Sequence, residues 1–201
     1  MVVVTGFDAA VIYLASSSPR RAQLLRQIGV EFSVHSVAID ETRANGETSA
    51  DYVLRLAADK AKAAAREISA SEKDYRVLAA DTTIDLDGDI IGKPANSAEC
   101  RRILERLSAR QHRVLTAVAL ATADSLELRL NDSRVTFRAL STAEIDAYCA
   151  CEEPMDKAGA YAIQGKAAVF VEHLEGSYSA VMGLPLLETA GLLRESGLDI
   201  F

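Results

Sequence analysis

The 201-residue sequence has no tryptophan, and aromatic residues make up only 5% of it. That scarcity argues against a stacking platform for single-stranded nucleic acid. An excess of positive charge is also missing: 22 Lys and Arg stand against 29 Asp and Glu, a formal charge of −7. Binding duplex nucleic acid calls for a basic face, so that partner is not expected. No run approaches the roughly 18 apolar residues that cross a bilayer, so no membrane partner is expected either. The apolar start, residues 1–15, carries no basic residue and is interrupted by Asp8, which argues against a secretory signal. Cys100, Cys149 and Cys151 are too few and odd in number for a disulfide framework, and read as packing thiols in a reducing cytoplasm. His35, His112 and His173 are scattered without zinc-ligand spacing. Proline- or glycine-rich linkers and internal repeats are absent, so residues 1–201 read as one domain. At 49% hydrophobic and 25% charged residues, the chain can bury a sizeable core.

What is present alternates between strand and helix. Residues 11–15 read as a buried strand, followed by a helix with Ser18 as N-cap, Pro19 at its first position, Leu24, Leu25 and Ile28 as its apolar stripe, and Gly29 as its stop. A second strand is expected over 31–37, and a helix from Thr48 with Val53, Leu56, Ala57 and Ala61 on one face. Residues 76–81 form another buried strand, and Asp87-Gly88 marks a hairpin turn. A helix opens at Ser97, strands follow over 112–121 and 133–140, Ser141 and Glu144 form a capping box, and Pro185 begins a last helix. Hairpins among helices point to an α/β fold with a mixed rather than purely parallel sheet.

Chemistry concentrates at a few points. Arg20 and Arg21 occupy a first helical turn, where the dipole disfavours cations and backbone N–H groups lack partners. An arriving anion would reverse that effect, and Ser16, Ser17 and Ser18 add hydroxyls before the helix start. A plain cap followed by two solvated arginines is the competing reading, because the glycine spacing of a P-loop is missing. Asp81 ends a buried apolar strand and suits a metal ligand, a water-activating base or a turn cap equally. Lys93 lies just beyond the hairpin, within plausible reach of a phosphate near Asp81. Asp40 and Glu41 could help hold a divalent cation or be solvated surface. Lys60 sits on an alanine-rich helix that could simply be exposed. Residues 156–165 combine Gly159, Ala160 and Gly165 with the polar tips of Lys157, Tyr161 and Gln164, a loop able to wrap a base or ribose.

Taken in order, LASSSPRRAQLL (14–25), DE (40–41), YVLRLAADKA (52–61), LAADTTIDLDGDIIGKP (78–94), HRVLTAVAL (112–120), VTFRAL (135–140) and the stretch 153–189 resemble the Maf family of nucleoside triphosphate pyrophosphatases, also called septum formation proteins. The resemblance covers nearly the whole chain beyond its first ten residues. It implies an elongated α/β protein with a mixed central sheet flanked by helices, two lobes around a cleft and an inosine-triphosphatase-like (Maf/Ham1) architecture. It implies hydrolysis of a nucleoside triphosphate to the monophosphate and pyrophosphate with a divalent metal cation, Mg²⁺ or Mn²⁺. Carried over by position, Asp81 matches the proton acceptor. Ser16, Arg21, Glu41, Lys60 and Lys93 match phosphate- and metal-handling residues, with the metal falling to Glu41 and Asp81. Arg20, Thr82 and Gln164 match the branch acting on dTTP and UTP rather than on 7-methyl-GTP. A homodimer, a cytoplasmic location and a house-cleaning role toward modified pyrimidine triphosphates are further implications. The family's alternative name motivates a second expectation, a nucleotide-binding regulator of cell division.

Overall fold

A computed structural model describes residues 11–200. The reading of residues 1–10 as the start of a non-secretory chain therefore lies outside the described residues. Among those described, the strands are β1 (Val11–Leu14), β2 (Ser33–Val34), β3 (Tyr75–Leu86), β4 (Asp89–Ile91), β5 (Gln111–Ala121), β6 (Leu126–Phe137) and β7 (Val171–Glu175). The α-helices are α1 (Pro19–Gln27), α2 (Ser49–Ile68), α3 (Ser97–Leu107), α4 (Thr142–Cys149), α5 (Tyr178–Met182) and α6 (Leu186–Glu195). All seven strands form one sheet in the order β2-β1-β3-β5-β6-β7, with β4 beside β3. β1 runs parallel to β2 and β3, and the other pairings are antiparallel, which gives the mixed sheet expected from the sequence.

β3 is the strand that positions everything else. β5 covers one of its edges from Val77 to Asp85. Its other edge is shared: β1 pairs with Tyr75–Leu78 and β4 with Ile84–Leu86. Between them, residues 79–83 have no strand on that side, and Asp81 lies at the centre of the gap. Side chains alternate across a strand, so Val77, Ala79 and Asp81 face α2, whereas Leu78, Ala80 and Thr82 face α1 and α6. The core follows the same division. Ala57, Ala61, Ala64 and Ala65 of α2 pack on Val77, Ala79, Ala117 and Ala119, and these small side chains let the helix approach the sheet closely. On the opposite face, Leu24, Leu25, Leu192 and Leu193 cover Leu14, Leu78 and Leu120. A third cluster, with Phe137, Tyr148, Tyr161 and Phe170, joins α3 and α4 to the far end of β3 and β5.

Local signals explain the element ends. Asp87 and Gly88 both have positive φ, 57° and 88°, the mirror-image turn that a two-residue hairpin needs. Thr48 and Asn96 accept a hydrogen bond from the third residue of their helices, and Ser141 with Glu144 closes a full capping box.

Four expectations need correction. The strand expected over 31–37 shrinks to Ser33–Val34, because both residues are exposed at the sheet edge with nothing to pack against. β6 runs over Leu126–Phe137 rather than 133–140: its first half alternates charged with half-buried residues and is held by the β5 ladder, which ends at Thr136. β7 and α5 went unrecognised: each is five residues long, and β7 is largely solvated. Cys100 and Cys149 are not separate thiols but form a disulfide, with Cα atoms 5.9 Å apart, because α3 and α4 pack side by side and bring together residues 49 apart in sequence. Cys151 alone is a free thiol.

Candidate functional site

The gap in the edge of β3 opens into a cleft of ≈ 540 Å³. Ser16, Arg20, Arg21, Glu41, Lys60, Asp81, Thr82, Lys93 and Gln164 all line it. Because the cleft straddles the sheet edge, it is reached from both faces: Asp81 from the α2 side, Thr82 from the α1 side.

On the α2 side, the ammonium of Lys60 sits between two carboxylates, 2.7 Å from Glu41 Oε1 and 2.7 Å from Asp81 Oδ1. The Lys60 side chain is only 14% exposed, so this lysine does not lie on a solvated helical face. The hydrogen bond from Lys60 holds the Glu41 carboxyl below its ordinary pKa, and the charges of Lys93 and Arg21 act in the same direction. Glu41 belongs to the irregular segment between β2 and α2, which is strapped to that helix. The Tyr52 hydroxyl donates to the Glu41 carbonyl at 3.0 Å, and Arg55 donates to the Thr42 carbonyl at 3.0 Å and to both Glu47 oxygens.

On the α1 side, Arg21 is half-buried and uses three of its five N–H groups within the protein. Its Nε donates to the Gly183 carbonyl at 2.8 Å, Nη1 to Ser16 Oγ at 3.2 Å and Nη2 to Thr82 Oγ1 at 3.3 Å. Burial lowers its pKa, while the negative charge of Asp81 acts in the opposite direction. Buried Thr116 extends this network, 3.1 Å from the Thr82 hydroxyl and donating to the Ala180 carbonyl at 2.8 Å. Ser18 stands at the N-cap position but makes no side-chain cap, and Ser16 Oγ accepts from its N–H at 3.2 Å. The first turn of α1 therefore presents N–H groups without a side-chain cap, next to two arginines.

The rim is closed by the loop from Glu153 to Phe170. Arg20 reaches Asp156 on it at 3.5 Å. Gly159 wedges the loop against β3: it has φ of 71°, and a Cβ there would lie 2.0 Å from Ile84 Cδ1. Gln164 lies exposed at the cleft rim, and Lys93 lines the cleft just beyond β4, next to Gly92, whose carbonyl accepts from the Gly159 N–H of the same loop at 3.0 Å.

Five cationic side chains face three carboxylates in the cleft, an inversion of the chain's acidic average. The donor set also bears on a divalent cation. Among the described residues, no three His, Cys, Asp or Glu side chains form a metal cluster. Glu41 and Asp81, however, converge on one point, with a single positive charge between them. Two carboxylates with further oxygens from a bound phosphate fit Mg²⁺, which binds in that manner rather than in an all-protein cage. Sequence reasoning missed Tyr52, Thr116 and Gly183. The first two are anchors for other residues rather than carriers of chemistry, and Gly183 contributes only a carbonyl; its one signal was a glycine before Leu-Pro at a helix end.

No described helix is long and apolar enough to cross a membrane. The fold resembles that of the Staphylococcus aureus Ham1 protein, with a TM-score of 0.54 over 92% of this chain and 98% of that one at 15% identity. Curated relatives at about half identity carry the name dTTP/UTP pyrophosphatase. That of Pasteurella multocida (strain Pm70) is 47% identical, covering 94% of this chain and 97% of its own. That of Methylococcus capsulatus is 53% identical, covering 93% and 91%. The profile of the Maf-like protein family matches residues 11–196, and the chain belongs to that family.

Proposed function

We propose that this protein is a nucleoside triphosphate pyrophosphatase that hydrolyses dTTP and UTP to the monophosphate and pyrophosphate. The observation that carries this reading is the meeting, in one cleft, of the Glu41–Lys60–Asp81 triad with the arginine-bearing start of α1. Its substrate preference is drawn from the relatives named dTTP/UTP pyrophosphatase and from Arg20, Thr82 and Gln164.

In this reading, Arg21 and the first turn of α1 hold the phosphate chain, with Ser16 contributing a hydroxyl. Asp81 takes a proton from the attacking water as its oxygen bonds to the α-phosphorus, and the bond from that phosphorus to the bridging oxygen breaks, releasing pyrophosphate. Lys60 and Lys93 neutralise the charge that builds on the departing group, the electrostatic contribution on which phosphoryl transfer chiefly depends. A divalent cation held by Glu41 and Asp81, Mg²⁺ by its oxygen preference, would supply further neutralisation of the phosphate oxygens. At the rim, the Gln164 amide can both donate to and accept from the edge of thymine or uracil.

Pyrophosphate release measured over a panel of nucleoside triphosphates with Mg²⁺ tests the proposal. Turnover of dTTP and UTP well above that of purine triphosphates and 7-methyl-GTP is expected. Absence of turnover with dTTP and UTP would overturn it.

A further inference from the structure

Gln164 sits at the tip of a tight turn, closed by the Gly165 N–H donating to the Ala162 carbonyl at 2.9 Å. Its own side chain is exposed at the cleft rim, so nothing in the turn's apolar packing fixes the amide's place. Both legs of the turn, however, are tied to one pair of side chains. On the incoming leg, the Ala162 N–H donates to the Tyr148 hydroxyl at 3.3 Å. On the outgoing leg, the Lys166 and Ala167 N–H groups donate to the Glu153 carboxylate at 3.1 and 3.4 Å. The two anchors are joined, since the Tyr148 hydroxyl donates to Glu153 Oε1 at 2.8 Å. Between the legs the carboxylate fills the space beneath Gly165, where an added Cβ would lie 2.4 Å from Glu153 Oε1.

The chemistry of the pair suits this task and no reaction. Neither residue lines the cleft, so neither touches the place where a triphosphate would lie. Burial pushes the Glu153 carboxyl's pKa up, but the hydrogen bonds from Lys166, Tyr148 and Ala167 and the charge of Lys157 outweigh it, and the carboxyl is held below its ordinary value. An ionised carboxylate accepts at both oxygens and donates nothing, which is what two backbone amides and a phenol require. Lys157, donating to the Glu153 carbonyl at 2.7 Å, fixes the backbone of the same residue. Tyr148 is held in turn within the aromatic cluster, its ring 5.2 Å from that of Phe170.

We infer that Glu153, with Tyr148, is a positioning residue for substrate specificity: the pair clamps the turn that presents Gln164 to the nucleobase. This inference rests on the reading of Gln164 as the base-facing amide. Glu153→Gln replaces an acceptor oxygen with an NH₂ facing a phenol or a backbone N–H, and so breaks the clamp with little change of shape. Displacing a substrate-orienting group by about 1 Å costs up to roughly a hundredfold. The expected result is a ten- to hundredfold fall, on that scale, in the preference for dTTP over dATP as judged by kcat/KM. The fall should appear chiefly as a higher KM for dTTP, with turnover of dATP unchanged. Tyr148→Phe removes only the hydroxyl that links both legs and should change the preference in the same direction by a smaller factor, so the test survives poor folding of the Glu153 variant. The coupling is decisive: in a Gln164→Ala background, Glu153→Gln should lower the preference no further. If Gln164→Ala leaves the preference intact, the base-facing role of Gln164 fails and the clamp has nothing to position. If Gln164→Ala lowers it but Glu153→Gln and Tyr148→Phe do not, or if the losses add in full in the double variant, the clamp itself is overturned.

Discussion

At the scale of single residues, Asp81 and Lys60 are tied so closely that each is defined by the other. Asp81→Asn keeps the size of the side chain and one acceptor for Lys60, so the fold should persist while the proposed proton acceptor is lost. Pyrophosphate release should fall by at least ~10²-fold, with the thermal unfolding midpoint nearly unchanged; near-wild-type turnover would show that another group takes the proton. His112 gives a separate, pH-dependent signal. It is buried against Phe137 and Tyr161, and burial pushes its pKa down from 6.5 to about 4. The unfolded chain therefore binds a proton between these values that the folded protein does not, and stability declines as pH falls from 6.5 toward 4, by on the order of 3 kcal/mol in full. Glu47 and Glu144, both held at about 2 by their arginine partners, lose their contribution only below the ordinary glutamate value of 4.5. Urea unfolding between pH 6.5 and 5 should thus show a slope that His112→Gln removes. The site's charged residues were legible in the sequence chiefly as a set of ordered motifs shared with a family; taken alone, two arginines in a first helical turn suited an anion and solvent equally, and Lys60 looked like an exposed helical residue. The anchors were not legible, since Thr116, Tyr52 and Glu153 look like ordinary polar residues until the chain is folded.

At the scale of elements, α2 works as a ruler. Its inner face is alanine from Ala57 to Ala65, and residues flanking that face bind the Glu41 segment through Tyr52 and Arg55 and the sheet through Lys60. Ala61→Leu would push the helix off β3; such overpacking costs about 1–3 kcal/mol. Lys60 would be drawn from Asp81 in the same displacement, so urea unfolding and kcat should fall together, whereas a stability loss with kcat unchanged would separate the two. Arg55→Ala removes the grip on Thr42 and Glu47 without touching the cleft. On the proposal that Glu41 helps hold Mg²⁺, the Mg²⁺ concentration for half-maximal activity should rise several-fold, with kcat at saturating Mg²⁺ nearly retained; an unchanged concentration would sever Arg55 from Glu41. Long elements with strong periodicity, α2 and β3 above all, could be read from sequence alone. The short ones could not: β2, β7 and α5 owe their conformations to neighbours, and the Cys100–Cys149 link depends on how α3 meets α4.

At the scale of the whole molecule, a chain with an acidic average carries a local cationic cleft. Charges more than about 8 Å apart are screened at physiological salt, so the acidic exterior is felt little inside the cleft. If Arg20, Arg21, Lys60 and Lys93 draw in a triphosphate as proposed, raising NaCl should nonetheless raise KM for dTTP while kcat responds less; a KM indifferent to salt would remove the electrostatic account. The shape of that cleft is set by where two strands stop. β1 leaves β3 at Leu78 and β4 joins it at Ile84, six residue steps of about 3.3 Å, on the order of 20 Å of unflanked edge. The length of the opening is therefore counted in residues of β1 and β4, neither of which carries the triad. Lengthening or trimming those strands would rescale the opening for a larger or smaller ligand while leaving Asp81, Lys60 and Glu41 untouched, so that the size of the opening and the proposed chemistry are written in different parts of the chain.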